Sequence, residues 1–184
     1  QAMGYTVVML QYNPTLFSFQ DLIDLMDSYI ADGFEIHMCN IDYVALMNKR
    51  GCEQGPFGTD LKDLVRRIKN YMEFNKIFFV TPHQLAPSAR QELRLGNEED
   101  FVKNVSGKGH LNNCSVLDQE FDLDITIHTM WTNGSKYMMV KRGKHRKFTE
   151  TPEDRHFWIR KFETIGGIRD DLHGPSLTMK KIGG

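Results

Sequence analysis

The sequence has few of the features that mark secreted, disulfide-stapled or membrane-spanning proteins. Its three cysteines, Cys39, Cys52 and Cys114, form no CxxC pair, and an odd number does not suit a disulfide framework. No apolar run approaches the roughly 20 residues that a membrane-spanning helix requires, and no signal-peptide pattern opens the chain. These absences predict a protein of a reducing, cytoplasmic compartment without membrane contact.

No charge of one sign dominates the sequence either. The formal net charge is −1, so the total charge does not indicate a nucleic-acid binder. The charges are unevenly placed, with a basic run at Lys141–Lys147 and acidic runs at Glu98–Asp100 and Glu120–Asp124. This distribution allows a local phosphate contact without a broad basic face.

The sequence also lacks a phosphate-binding loop. No GxxxxGK[ST] motif occurs, and Gly107-Lys108 has neither the upstream glycine nor the following hydroxyl residue. The backbone amides that cradle a triphosphate in such loops are therefore not evident.

The first half of the sequence alternates between short apolar runs and amphipathic helices. The 40% hydrophobic content over 184 residues is enough for one domain with a buried core. Apolar runs predict strands at Tyr5–Gln11, Phe34–Asp42 and Ile77–Thr81, the second of them buried on both faces. A Ser18–Asp21 capping box followed by Gly33 predicts one helix, and Asp60–Phe74 a second. This order predicts an α/β fold with a parallel sheet and flanking helices.

The second half predicts antiparallel strands. A polar, loop-rich stretch follows Pro82 and contains one short helix at Ser88–Leu95. Strands are then predicted at Asp124–Met130, Lys136–Val140 and Arg155–Phe162, the first two joined by an Asn133-Gly134 turn.

Polar side chains follow two of the predicted parallel strands. Asp42 ends the second strand, and His83 and Gln84 come just after the third. Ligands of α/β proteins bind at the carboxyl edge of the sheet, where a carboxylate can hold magnesium and an amide can contact a γ-phosphate. The alternative is that all three residues belong to ordinary loops.

Charged side chains cluster around the predicted hairpin. Lys144 and Arg146 follow a strand directly, so they could complete a nucleotide site across a subunit boundary, or form an exposed basic edge that deters aggregation. Glu120, Asp122 and Asp124 alternate without a histidine or cysteine cluster. We expect these carboxylates to tie a loop and a strand start to neighbouring cations.

In this order, the segments resemble the DnaB-type hexameric replicative helicases, especially those of bacteriophages. Ile41-Asp42-Tyr43 with Leu46-Met47 is similar to their Walker B strand, and Thr81-Pro82-His83-Gln84-Leu85 to their next strand. Glu120-x-Asp122-x-Asp124 is similar to an acidic segment that follows a DNA-binding loop, and Lys144-His145-Arg146 to a Lys-x-Arg pair. The resemblance covers about Gly4 to Phe162, and Asn40 departs from it as a polar residue within an apolar strand.

The resemblance implies a RecA-like ATPase core that uses ATP or another NTP with magnesium. Asp42 would help to hold magnesium and its waters, and Gln84, next to His83, would sense the γ-phosphate. Arg146, assisted by Lys144, would be an arginine finger for a neighbouring subunit, although Arg142 could take that role instead.

The resemblance also implies partners. Single-stranded DNA would face the loops Asn48–Thr59 and Pro87–Asn113, which carry candidate phosphate contacts at Lys49, Arg50, Arg90, Arg94, Lys103 and Lys108. The intact protein would form a homo-hexamer and could also bind a primase or a helicase loader.

Together these points predict a partial RecA-like core at residues 4–162 and a C-terminal tail at 163–184. The family's phosphate-binding loop and catalytic glutamate are expected upstream, so the chain alone should bind no nucleotide tightly and should be inactive. A RecA-type recombinase core, and a natural non-catalytic RecA-fold module for DNA binding or interaction, remain alternatives.

Overall fold

A computed structural model of the chain describes residues 4–95, 101–106, 110–111, 114, 117–132, 134–146, 158–163 and 167–169. The chain divides into two compact units, Gln1–His83 and Gln84–Gly184. The predicted boundaries, with a core at 4–162 and a tail at 163–184, stay a prediction. Among the described residues, no helix is both long and apolar enough to cross a lipid bilayer.

The first unit pairs two helices with a small parallel sheet. Helix α1 spans Phe19–Ala31 and helix α2 spans Thr59–Phe74, while strands β1 and β2 span Met38–Asn40 and Phe78–Val80. The strands run parallel, with Cys39 opposite Phe79. Helix α1 packs against α2, and α2 packs against β2. The predicted parallel sheet with flanking helices is therefore confirmed.

The predicted capping box fixes the start of α1. The Ser18 amide donates to Asp21 Oδ2 at 2.7 Å, and the Asp21 amide donates back to Ser18 Oγ at 3.4 Å. Just past the other end of the helix, Gly33 has a φ of +91°, a conformation that suits glycine. Local sequence signals thus set both ends of this helix.

Helix α2 supplies most of the core of the first unit. Its buried apolar side chains recur at helical spacing, and they are Leu61, Leu64, Val65, Ile68 and Met72. Leu22 and Met26 of α1 are also buried, as are Val44 and Met47 in the loop after β1. Because each fully buried side chain of this size contributes about 1.5–3 kcal/mol, this stripe explains why α2 is held in place.

The predicted strand at Tyr5–Gln11 is wrong. The segment forms no strand, and Val7 and Met9 are 86% and 91% exposed. Strand propensity depends on cross-strand packing, and no strand among the described residues pairs with this segment.

The predicted burial of the second strand on both faces is also wrong. Met38 of β1 and its register partner Phe78 of β2 are 55% and 65% exposed. The strand is shorter than the apolar run, because Val44–Leu46 turns into a 3-10 helix instead of continuing it.

The second unit is an antiparallel sheet with two helices. Helix α3 spans Pro87–Leu95 and α4 spans Phe101–Val105. The four strands lie in chain order, each antiparallel to the next. They are β3 at Leu123–Thr132, β4 at Ser135–His145, β5 at Trp158–Glu163 and β6 at Gly167–Arg169. This sheet confirms the predicted hairpin strands, whereas α4 and β6 were not predicted.

The turn between β3 and β4 has the predicted length. Thr132 pairs with Ser135, which leaves two residues in the turn, and Gly134 has a φ of +74°. Asn133 lies outside the described residues. A short turn of this kind matches the twist of the strands that it joins.

The core of the second unit lies between the helices and one face of the sheet. Ala89 of α3 and Val102 of α4 are fully buried, together with Met130 and Met139 of the sheet. Leu85, Leu93 and Tyr137 pack around this cluster. The inner face of β3 and β4 is therefore fixed against α3 and α4.

Candidate functional site

In the first unit, the two parallel strands bring their carboxyl ends together. Asp42 follows β1, and Thr81 and His83 follow β2. The Ile41 amide donates to the Val80 carbonyl at 3.0 Å, and the Val44 amide donates to Thr81 Oγ1 at 3.3 Å. These bonds hold the segment around Asp42 against the segment before His83.

Asp42 presents its carboxylate at this edge in an exposed position, and the peptide between Asp42 and Tyr43 is cis. Within the described part of the chain, no group of three His, Cys, Asp or Glu side chains lies close enough to hold a metal ion. A single carboxylate nevertheless fits magnesium, which usually keeps several waters and binds one or two carboxylates with substrate phosphates. Asp42 is the residue that would hold magnesium here.

The polar residues after β2 differ in exposure. His83 is half-buried at the end of the first unit, and Gln84 is exposed at the start of the second. The structure therefore places Asp42 and His83 behind neighbouring strands of one unit. Sequence reasoning missed Thr81, whose hydroxyl forms the bond that links the two segments.

In the second unit, Lys144 and Arg146 are bound by the acidic segment before β3. Lys144 Nζ donates to the Asp118 carbonyl at 2.6 Å, and the Arg146 amide donates to the Asp122 carbonyl at 2.8 Å. Arg146 Nη1 lies 3.2 Å from Asp122 Oδ1, and Nη2 donates to the Gln119 carbonyl. The Asp122 carboxylate thus pairs with a cation as expected, whereas the bonds to Asp118 and Gln119 involve their backbone carbonyls.

Asp124 holds the backbone at the end of β4. Its carboxylate accepts a hydrogen bond from the Lys144 amide and lies directly against Gly143. A Cβ at position 143 would collide with that carboxylate, so a larger residue fits only if the Asp124 side chain moves. Burial raises the pKa of Asp124 above its ordinary value, although the bond from Lys144 acts in the opposite direction.

The candidate site residues therefore form two groups, Asp42 with His83 in the first unit and Lys144 with Arg146 in the second. The sequence model of the family described as Divergent DnaB-like ATPase matches residues 1–184. The chain belongs to the divergent DnaB-like ATPase family. No curated protein matches it. The resemblance seen in the sequence is thus confirmed, and the family's description suggests nucleotide and magnesium as cofactors and hydrolysis as the reaction.

In this DnaB-like ATPase, the first predicted DNA-facing loop is anchored. Lys49 Nζ donates to the Ala45 carbonyl at 2.9 Å, whereas Arg50 is exposed. Farther along the loop, the Glu53 amide donates to Asp63 Oδ2 of α2 at 3.0 Å. The loop is therefore held by the bonds of Lys49 and Glu53, and the Arg50 side chain is exposed to solvent.

Asp63 is a residue that sequence reasoning missed. Its side chain is 5% exposed and accepts bonds from Arg66 Nη2 at 2.5 Å and Arg67 Nε at 2.7 Å. Burial alone would raise its pKa, but the hydrogen bonds from Glu53, Arg66 and Arg67 outweigh burial and lower it. The signal was present in the sequence as an acid followed at three and four residues by arginines.

The remaining predicted DNA contacts lie in the second unit. Arg90 and Arg94 are exposed and four residues apart on α3, so they share one side of that helix. Lys103 is half-buried on α4, and Lys108 lies outside the described residues. Of this set, Arg90 and Arg94 therefore form an exposed pair of cations on one helix.

Proposed function

We propose that this chain is part of a replicative DNA helicase that couples NTP hydrolysis to translocation on single-stranded DNA. The observation that carries the proposal is the position of Asp42 and His83 behind adjacent parallel strands in a DnaB-like ATPase. Bound ligands of open α/β sheets lie at this edge.

Phosphoryl transfer in such motors depends on positioning and on charge stabilisation. Asp42 would hold magnesium and its waters, and Gln84 with His83 would contact the γ-phosphate and report its loss to the next loop. The bonds from Ile41 and Val44 to the end of β2 support this role, because they fix the spacing between the two segments.

Lys144 and Arg146 would act on the nucleotide of a neighbouring subunit in a homo-hexamer. Lys144 lies near the end of the long strand β4 and Arg146 directly follows it. Asp124 bonds the Lys144 amide at this end, which supports a fixed backbone direction for both residues. Arginine binds phosphate oxygens in a planar fork, and lysine acts as a point charge. Arg142, on the same strand, is the second candidate for the finger.

Lys49, Arg50, Arg90, Arg94, Lys103 and Lys108 would contact the phosphates of single-stranded DNA. The exposure of Arg50, Arg90 and Arg94 supports this role. A primase or a helicase loader could bind the intact protein as a further partner.

Anisotropy of labelled single-stranded DNA tests the DNA contacts. We expect the chain to bind in a salt-sensitive way and the Arg90→Ala, Arg94→Ala double variant to bind more weakly with a shallower salt slope. Lys76→Asn is the matched control, because Lys76 is an exposed cation before β2 and belongs to neither predicted DNA-facing loop. Equal affinity of the double variant and the control variant would contradict the assignment of α3 to DNA.

Hydrolysis by the purified chain tests the nucleotide half-site. We expect no magnesium-dependent ATP turnover, because each site needs groups from two subunits and the sequence contains no GxxxxGK[ST] motif. Turnover that is lost in Asp42→Asn would overturn this expectation.

The missing GxxxxGK[ST] motif also favours a second candidate, a RecA-fold module that binds DNA or a partner without catalysis. A longer coding sequence that carries the motif upstream would exclude this candidate.

A further inference from the structure

The outer face of strand β3 carries large apolar side chains although it is exposed. On β3, the inward side chains Thr126 and Met130 are buried, while Ile125, Ile127 and Trp131 are 54%, 57% and 69% exposed. Antiparallel sheets with one solvated face usually carry polar residues there. Large exposed apolar side chains at these alternate positions are typical of an interaction surface.

The hairpin tip, defined here as Trp131 and Lys136, is the most prominent part of this face. The two residues are register partners one position before the turn, so they lie side by side. Lys136 Nζ lies 4.7 Å from the centroid of the Phe162 ring, which steadies the ammonium group. The hairpin tip therefore presents an exposed indole next to a cation.

A groove in the first unit has the complementary chemistry. It encloses about 410 Å³ and is lined by Tyr12, Leu16 and Phe17 together with Asp21 and Asp24. This acidic groove offers apolar walls for an aromatic ring and two carboxylates for a cation.

The walls of the acidic groove are held in place by local contacts. The rings of Tyr12 and Phe17 stack with centroids 4.3 Å apart and planes 20° apart. The Ser18 hydroxyl and amide bond to Asp21 and lower its pKa, so this carboxylate stays ionised at neutral pH. Asp24 accepts a hydrogen bond from Gln20 at 2.8 Å.

We propose that the hairpin tip of one copy of this chain docks into the acidic groove of a second copy. Trp131 would enter between the apolar walls, and Lys136 would face Asp24 and Asp21. Two different surfaces meet in such a contact, so it runs head to tail and builds rings or filaments. This inference rests on the proposed function, in which copies of the chain associate. The inference adds which two surfaces of the copies would meet.

Sedimentation velocity of the full chain over a concentration series tests this contact. We expect the wild type to associate and Trp131→Ala to weaken association by about tenfold or more, as central aromatic residues of interfaces do. Trp131→Phe should weaken it less, and circular dichroism of both variants checks that they fold. Lys76→Asn lies on neither surface and should associate like the wild type.

A charge exchange identifies the partner surface. Lys136→Glu and Asp24→Lys should each weaken association, and a mixture of the two single variants should restore it, because opposite charges then face each other again. A mixture that associates no better than either variant alone would overturn the proposed pairing. So would a wild type that stays monomeric at every concentration.

One outcome separates this contact from the proposed function. If association is unchanged in Trp131→Ala but is lost in Arg146→Ala, the docking of the hairpin tip is refuted. The proposed contact of Arg146 with a neighbouring subunit would then still stand.

Discussion

Replacement of Asp63 by asparagine tests how the loop before α2 is held. The Asp63 carboxylate is buried and accepts hydrogen bonds from the Glu53 amide, Arg66 and Arg67. An asparagine keeps the shape but loses the negative charge and one acceptor oxygen, so its NH2 group must face a donor. The expected results are a less stable first unit and a loop that is no longer tied to α2.

The magnitude follows from the exposure of the partners. Hydrogen bonds to a charged group contribute about 1.5–3 kcal/mol each when both partners are buried. The side chains of Arg66 and Arg67 are 47% and 45% exposed, so water replaces much of what they lose. The third bond comes from the amide of the exposed residue Glu53 and is part-buried, so the total loss is smaller than three full bonds. We therefore expect Asp63→Asn to lower the free energy of unfolding by about 2–3 kcal/mol.

Urea unfolding measured by circular dichroism at pH 7 checks this value. Glu73→Gln is the matched control on the same helix, because the Glu73 carboxylate is 61% exposed and pairs with Lys69 at 3.5 Å. This change should cost less than about 1 kcal/mol. A loss for Asp63→Asn as small as that of the control would refute the reasoning.

The same variant has a defined pH dependence. The folded pKa of Asp63 is lowered, so its stabilising effect is present above the unfolded pKa of about 3.9 and is lost as pH falls through the folded pKa. The stability difference between the wild type and Asp63→Asn should therefore be constant near neutral pH and should shrink below about pH 4. A difference that stays unchanged down to pH 2.5 would show that the charge of Asp63 is not what stabilises the loop.

Three further predictions concern separate parts of the molecule. Gly143→Ala should destabilise the second unit by about 1–3 kcal/mol in urea unfolding, because the new Cβ displaces the Asp124 carboxylate; Ser135→Ala is a control on the same strand. Burial raises the pKa of Cys39 to about 11, so its alkylation by iodoacetamide at pH 8 should be about a hundredfold slower than that of a free thiol, and should accelerate as pH rises. Arg50→Ala should weaken single-stranded DNA binding without changing the free energy of unfolding, since Arg50 is exposed; a change in unfolding alone would contradict a DNA contact.

Features set by neighbouring residues could be predicted from the sequence. The capping box at Ser18, the glycine after α1 and the two-residue turn before Ser135 depend on short-range hydrogen bonds and backbone conformation, and all three occur. Asp42 and His83 could be placed for a similar reason, because a polar residue that directly follows a strand of a parallel sheet lies at the carboxyl edge of that sheet.

Features set by distant residues could not be predicted in the same way. Tyr5–Gln11 has strand propensity, but a strand also needs a partner, and the sequence does not state which segment pairs with which. Helix α4 and strand β6 are too short for a periodic pattern, and α4 is held by its burial against Met130 and Met139. The short bond from Lys144 Nζ to the Asp118 carbonyl likewise joins segments whose approach depends on the register of β3 and β4.

The contacts of Arg146 bear on how a finger could work in this fold. Its backbone amide is bonded to the Asp122 carbonyl, so the position of the chain is fixed by a bond that no nucleotide would replace. Its guanidinium, by contrast, pairs with the Asp122 carboxylate while both side chains are about half exposed, at 47% and 49%. An exposed pair of this kind is worth about 0–1 kcal/mol, which is less than a charge-assisted bond to a desolvated phosphate. To reach a neighbouring nucleotide, the guanidinium would have to leave both Asp122 and the Gln119 carbonyl, to which its Nη2 donates. The backbone bond could stay in place during this change, so that the backbone would set the direction of the finger and only the side chain would change its partners.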